Sequence, residues 1–338
     1  MHIIPRTEPA GQTPTWQVEL AQAVREPADL LEMLQLPRSL LDAATAASKD
    51  FPLRVPQSYL ERIEPGNPHD PLLRQILPLA EELTESEGFF TDPVGDQQAM
   101  ASPGLIHKYH GRVLLTLTGA CAVHCRYCFR RHFPYTDANP MEDGWQAAID
   151  YLLQHPEVSE VILSGGDPLS LSDRRLADLV NRLDAIPHLK RLRWHSRVPV
   201  VLPSRLTTEL RHIWQSSRLQ QVLVLHFNHP NEINHEIKQS LKSLSTNKIQ
   251  LLNQTVLLRG VNDNVDSLVN LSEALFAAGV LPYYLHMLDR VQGAQHFEVE
   301  ADTSQLLYRE LLSQLPGYLV PKLVRDNAGE NFKQLHAF

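Results

Sequence analysis

From Arg112 onward the chain alternates short apolar, β-branched runs with amphipathic segments at a repeat of roughly thirty residues, a rhythm that leaves few folds open. Strands are expected over residues 112–118, 160–163, 191–195, 221–226, 250–257 and 282–288. Each run is apolar along most of its length, as parallel strands covered on both faces should be. Between them, residues 172–183 read as a helix with Ser172 as N-cap and Leu176, Leu179, Val180 and Leu183 on one face. Residues 265–276 read as another, with Leu268, Leu271 and Leu275 aligned. Successive βα units of this kind build an open doubly wound sheet or a curved partial barrel, and periodicity alone does not choose between them.

Polar residues gather at the carboxyl ends of these strands. Ser164, Gly165, Gly166 and Asp167 follow the second, His195, Ser196 and Arg197 the third, His226, Asn228 and His229 the fourth, and Asp289 the sixth. Ligands of α/β sheets and barrels sit at that edge, so the clustering marks one active-site face; ordinary loop polarity is the bland alternative. The first hundred residues look different, with a helical stretch over 16–34 and proline-rich connections around 53–56 and 67–73. They read as a helical wrap or an oligomer contact, which hints at a homodimer. The expected division is an extension over 1–105 and a catalytic unit over 106–338.

Composition narrows the partners. A formal charge of −8 disfavours broad adhesion to nucleic acid or to an anionic membrane, and points to small molecules. Residues 1–17 are polar and carry Pro5, Pro9 and Pro14 where a signal peptide would need an apolar core, and no later stretch is long and apolar enough to span a bilayer, so a cytoplasmic location is expected. The 3 cysteines, Cys121, Cys125 and Cys128, are odd in number and too tightly grouped for a disulfide framework. Metal binding is the better reading.

The spacing C-x3-C-x2-C lets three thiolates of one loop reach one iron-sulfur cluster. Such clusters usually have four thiolate ligands, so a set of three leaves one iron open to substrate or cofactor. A structural zinc would want a fourth closed ligand, and His124 sits inside the loop, where cluster contact or simple packing suits it better. With Tyr127 before the third cysteine, the motif resembles the signature of the radical S-adenosylmethionine superfamily. That resemblance implies a 4Fe-4S cluster on Cys121, Cys125 and Cys128 and a cofactor chelated through the open iron. It also implies that the stretch Ser164-Gly165-Gly166-Asp167-Pro168 steadies the cofactor's amino group.

A longer resemblance runs from about Leu53 to Lys333. It is carried by Pro103-Gly104-Leu105-Ile106-His107-Lys108-Tyr109-His110-Gly111-Arg112, Cys128-Phe129-Arg130-Arg131, His226-Phe227-Asn228-His229-Pro230-Asn231-Glu232, the stretch from Asn253 to Asp263, and Pro282-Tyr283-Tyr284. In these the chain resembles the lysine 2,3-aminomutases, in particular the short bacterial form that acts in β-lysylation of elongation factor P. The resemblance implies an α/β fold, a radical SAM partial (β/α)6 barrel with a helical N-terminal extension. It implies two further ligands, L-lysine and pyridoxal 5′-phosphate, and a 2,3-migration of the amino group that yields β-lysine, in the R form, for a separate ligase to join to elongation factor P.

By the same resemblance Arg130 grips the substrate carboxylate, Arg112 and Tyr109 hold the phosphate cofactor, and Asp289 and Asp326 receive the distal ammonium group. Lys333, seven residues after Asp326, carries pyridoxal phosphate, although no glycine run precedes it and Lys322 is a competitor. Gly165, Gly166, Asp167, Arg197, His226 and Gln254 are expected around the adenosyl cofactor. Two readings compete: a radical aminomutase for glutamate or arginine, and a non-catalytic iron-sulfur or zinc redox sensor. The pair of carboxylates would repel glutamate's side chain, and a sensor leaves Arg112, Arg130, Asp289, Asp326 and Lys333 without a role.

Overall fold

In a computed structural model, residues 15–135, 145–245 and 249–336 are described; the leading segment with Pro5, Pro9 and Pro14 lies outside them. A single sheet of 10 strands runs in sequence order. Its strands are β1 (Met100–Ser102), β2 (Leu105–Tyr109), β3 (Arg112–Thr116), β4 (Glu160–Ser164), β5 (Arg191–Ser196), β6 (Gln220–Leu225), β7 (Ile249–Val256), β8 (Leu281–His286), β9 (Lys322–Arg325) and β10 (Gln334–Leu335). All the expected strands are present as β3 to β8, and they pair in parallel. The parallel run continues into β9, with the helix Ala301–Gln314 crossing over from β8, and antiparallel strands close both ends of the sheet. Gly111, at φ 72°, makes the tight turn between β2 and β3 that a Cβ would strain.

The sheet is strongly curled. Tyr109 ends β2 and Asp326 follows β9, seven strands away, so in a flat sheet they would stand about 34 Å apart at the usual inter-strand spacing. Instead the Tyr109 hydroxyl donates to Asp326 Oδ1 at 2.9 Å. That bond requires a partial barrel around a lumen, which is where the strands depart from expectation. They are not apolar on both faces. On β5, Leu192 and Trp194 are fully buried on the outer face, where Trp194 meets Trp214 edge-on at 5.9 Å, while Arg193 and His195 turn inward. A polar lumen, with helices only on the outside, explains the alternation.

Local reasons shape the other departures. The stretch expected as one helix over 16–34 is two, Thr15–Ala21 and Pro27–Met33, because Pro27 lacks the N–H a continuing helix needs and is instead seated at the first helical turn. Between them Val24 exchanges backbone hydrogen bonds with Val55 at 2.8 and 3.0 Å. Ser172 does stand at the N-cap of Asp173–Asp184, but its side chain makes no capping bond; the helix is held by Leu176, Leu179, Val180 and Leu183, all buried. The proline-rich stretch near 70 contains a short helix, Pro71–Arg74, capped by Asp70 Oδ1 on the amides of Leu72 and Leu73 at 2.7 and 3.1 Å.

The extension is not a separate body. Trp16, Leu30, Leu72 and Ile76 share one contiguous core with Leu163, Leu192 and Leu223 of the sheet, and the expected boundary at 105 falls on the first residue of β2. Part of its apolar surface packs within the chain, while Val18, Met33, Leu83 and Phe90 stay exposed. Its polar groups hold the cysteine loop. Arg126, fully buried, donates from Nε and Nη2 to the two oxygens of Glu82 at 2.8 and 2.6 Å and from Nη1 to the Phe51 carbonyl at 2.8 Å. Arg131 adds a bond to Glu82 Oε2 at 2.9 Å, and the Arg126 amide donates to the Gln75 carbonyl at 2.9 Å. Removing one partner of a buried ion pair leaves the other's charge uncompensated. Glu82→Ala is therefore expected to destabilise the protein by about 3–5 kcal/mol in urea unfolding, and an unchanged midpoint would show that the clamp contributes nothing.

Candidate active site

Two cavities, of about 370 and 400 Å³, open inside the curl and share a wall made by Phe129, Arg130, Ser164, His195, His226, Gln254, Val256 and Asp289. Every parallel strand contributes at its carboxyl end or inner face, as the strand-end polarity led us to expect.

The first cavity holds Cys121, Cys125 and Cys128, carried on the loop after β3. Burial raises all three thiols, Cys128 to about 11, so they stay protonated unless a metal draws the protons off. Among the described residues no three His, Cys, Asp or Glu side chains converge closely enough to ligate one metal ion. Three thiols that open on one cavity suit a polynuclear cluster, in which each thiolate takes its own iron. His124 lines the same cavity, with its Nδ1 2.8 Å from the Pro52 carbonyl and its ring stacked on Phe51 at 5.2 Å. It packs the loop.

The glycine-rich stretch is built against the same loop. Gly166 N–H donates to the Thr118 carbonyl at 2.6 Å and Asp167 N–H to the Ala120 carbonyl at 2.9 Å. A Cβ on Gly166 would stand 2.4 Å from Ala120 O, and Gly165 adopts φ 111° with Thr118 O at 2.9 Å from its own absent Cβ. These contacts explain both glycines. Their carbonyls accept no hydrogen bond among the described residues and border the cysteine cavity, where an ammonium group would find them.

Asp167, expected to touch the cofactor, is otherwise engaged. Its carboxylate accepts from Ser196 Oγ and the Arg197 amide at 2.7 Å each, from Leu169 N at 3.0 Å and from Val198 N at 3.1 Å. Burial lifts it to about 6 despite those donors. It therefore ties the end of β4 to the end of β5, and no lone pair is left over for a ligand without breaking that tie. Asn228 is likewise structural: its Oδ1 accepts from Val256 N at 2.9 Å and its Nδ2 donates to Tyr127 OH at 2.6 Å. Arg197 is divided. Nη2 donates to Gln75, Glu232 and Tyr59 at 2.8, 2.9 and 3.3 Å, whereas Nε and Nη1 are buried and have no partner among the described residues. Burial works against its charge, but Cys125 and Glu232 outweigh it and raise the pKa.

The second cavity holds Tyr109, Arg112, Arg130, Asp289, Asp326 and Lys333. Arg112 is half-buried, its guanidinium 4.5 Å from the centre of the Tyr109 ring. Among the described residues no carboxylate pairs with it, so it presents a free cation to the cavity. Lys333 pairs with Asp326, which also takes the Tyr109 bond. Its sequence competitor Lys322 is exposed at the start of β9 and lines neither cavity. Asp289 Oδ1 is buried with no partner among the described residues, and burial raises that carboxyl to about 7. His195, His226 and His286 line the same cavity as neutral imidazoles, since burial lowers all three, His226 to about 3. Gln254 reaches His226 at 3.0 Å.

Sequence reasoning overlooked Asp96, Lys108, Arg193 and His286, which also line this second cavity. The inward alternation of β5 would have found Arg193. Asp96 lies before the first strand in a stretch with no periodic signal.

Comparison with known proteins agrees with this geometry. Residues 110–196 match the family described as a 4Fe-4S single cluster domain. The chain is 50% identical over 333 residues to the L-lysine 2,3-aminomutase of Escherichia coli K12, covering 98% of this chain and 96% of that one. It is 47% identical over 337 residues to that of Haemophilus influenzae, covering 100% of both, and 35% identical over 316 residues to that of Clostridium subterminale, covering 93% and 76%. With likeness of that degree running from end to end, the chain belongs to the L-lysine 2,3-aminomutase family of radical S-adenosylmethionine enzymes.

Proposed function

We propose that this protein converts free L-lysine to β-lysine by 2,3-migration of the amino group. The observation that carries the reading is the pair of adjoining cavities: one lined by three thiols, the other by Arg112, Arg130, Asp289, Asp326 and Lys333. When bound, S-adenosylmethionine on the reduced cluster supplies the hydrogen-abstracting radical, and pyridoxal phosphate supplies the carrier for the migrating nitrogen.

The chain's own residues do the rest by placement. Cys121, Cys125 and Cys128 would hold the cluster, and the carbonyls of Gly165 and Gly166 would receive the amino group of S-adenosylmethionine. Arg197, with two unpartnered nitrogens, His226 and Gln254 form the wall facing it. Lys333 would carry pyridoxal phosphate with Arg112 and Tyr109 at the phosphate, a role that suits an unpaired guanidinium. Arg130 would take the substrate carboxylate. Asp326 already accepts the ammonium of Lys333, and Asp289 offers an unpartnered oxygen beside it. Two carboxylates at that end favour a lysine side chain and repel glutamate's.

A cytoplasmic place, the R configuration of the product and its destination in elongation factor P belong to the same proposal, supported by resemblance to the short bacterial form. Among the described residues no helix is long and apolar enough to cross a membrane. If free lysine is the substrate, labelled lysine gives labelled free β-lysine before any label reaches the factor; label appearing first on lysylated factor would refute this.

In an anaerobic assay of protein reconstituted with iron, sulfide, S-adenosylmethionine, pyridoxal phosphate and dithionite, wild type is expected to form β-lysine while Cys125→Ala and Lys333→Ala form none. Borohydride reduction followed by peptide mapping should place the pyridoxyl group on Lys333; a label on Lys322 or Lys108 would move the assignment. No β-lysine from protein carrying both cofactors would overturn the reading.

Asp289 sets a pH signature. Its carboxyl titrates at about 7 in the folded chain against an ordinary carboxyl near 4, so near pH 6.5 it is largely protonated. A cationic side chain arriving beside it favours the charged form, so lysine binding should release a proton there. Calorimetry in buffers of different ionisation enthalpy reads that release, and Asp289→Asn should abolish it. Equal release from the variant would remove Asp289 from the ammonium site. Folding stability has the matching sign: the folded state binds the extra proton, so this residue's contribution declines as pH rises from about 4 to 7.

A further inference from the structure

Arg130 has five N–H groups on a rigid plane, and their engagement is uneven. Nε and Nη2 both lie 2.7 Å from Asp96 Oδ2, and Nη1 donates to Ser164 Oγ at 2.9 Å. Nε and Nη1 thus donate to the protein and Nη2 pairs with Asp96 by charge, leaving N–H groups on the terminal nitrogens without a hydrogen-bond partner among the described residues. Phe129 lies under the guanidinium at 4.8 Å, and both cavities border it. The side of the guanidinium that carries Nε faces Asp96, and the N–H groups left over can donate to a ligand that borders it, as a carboxylate would.

Asp96 is 3% exposed and comes from the extension, just before β1. Its other oxygen, Oδ1, lies 2.5 Å from Lys108 Nζ on β2, and that ammonium also donates to the Val94 carbonyl at 2.6 Å. Charge makes the arrangement informative. Arg130 with Asp96 alone would be neutral and would attract a carboxylate weakly. With Lys108 on the aspartate's other oxygen the group carries +1, from two cations and one anion.

We propose that Asp96 is a positioning residue for Arg130 and that Lys108 is its counter-cation, the three together fixing the α-carboxylate of the amino acid at Arg130's remaining N–H groups. The proposal rests on the reading of the second cavity as an amino-acid site and says how that site aims its carboxylate anchor. Asp96 stops the guanidinium from rotating on its flexible arm. Lys108 restores the positive charge that Asp96 would otherwise cancel.

The test is a calorimetric titration of cofactor-loaded, unreduced protein with L-lysine and with 1,5-diaminopentane, which is lysine without its carboxylate. In Asp96→Asn and in Lys108→Met, lysine should bind about tenfold more weakly or worse, while diaminopentane changes less than about threefold. A merely structural role would weaken both ligands alike. Asp96→Asn raises the group's charge to +2 and Lys108→Met lowers it to 0, so charge alone predicts opposite effects on lysine, and tighter lysine binding by Asp96→Asn overturns the positioning role. Unchanged lysine binding in that variant does so as well. Lys108→Arg should recover most of the lost affinity; with thermal melting it carries the test should Asp96→Asn fold poorly, and no recovery counts against the proposal. If wild type and Arg130→Met alike fail to prefer lysine to diaminopentane, the amino-acid reading itself falls, and this proposal with it.

Discussion

The hydrogen bond between Tyr109 and Asp326 joins residues from opposite ends of the sheet, and the architecture of the site depends on the curl that makes it geometrically available. A sheet of this many strands left open would scatter its strand-end residues along a wide edge. Curled, it turns that edge into a rim and its inner face into a lumen. Every residue of the proposed chemistry is on that rim or just inside it. The same curl brings the chain's last described strand, and with it Lys333, over the mouth of the lumen next to β2.

Within the lumen, burial and charge divide the labour. The cysteine side is held from outside by the extension, through the Glu82 carboxylate shared by Arg126 and Arg131. The amino-acid side contains charged groups that are already paired, such as Arg130 with Asp96 and Lys333 with Asp326, beside groups that are not, such as Arg112 and Asp289 Oδ1. An unpaired charge or polar atom in such a place costs folding free energy, and it is the ligand's complementary charge that relieves it.

Much of this was legible in the chain. Strands β3 to β8 announce themselves because each is long enough, and apolar enough on its outer face, to stand out from the helices beside it. Strands β1, β2, β9 and β10 do not: they are short, lie toward the edges, and owe their pairing to neighbours rather than to their own pattern. The cysteines were legible by spacing, and Arg112, Arg130, Asp289, Asp326 and Lys333 by resemblance. Asp167 shows the limit of such transfer. Its place in the motif is conspicuous, yet its oxygens are taken by Ser196 and three backbone amides, a fact that depends on where β5 ends in space. Asp96 was invisible for the converse reason, since its meaning comes from partners 12 and 34 residues away.

The sequence by itself determined the chemistry that the chain can perform: which thiols come from one loop, which strands run parallel, and which ionisable groups follow them. These are properties of spacing and periodicity, set over a few residues at a time by the chain's covalent geometry. Only the tertiary structure decided which of those groups are free to act. Whether a carboxylate or a guanidinium is engaged by the protein or left for a ligand depends on non-local packing and on the low polarity of the interior, where every donor must find an acceptor. That is why the fold separates Asp167 from Asp289, though both are aspartates at the carboxyl ends of strands of one sheet, β4 and β8.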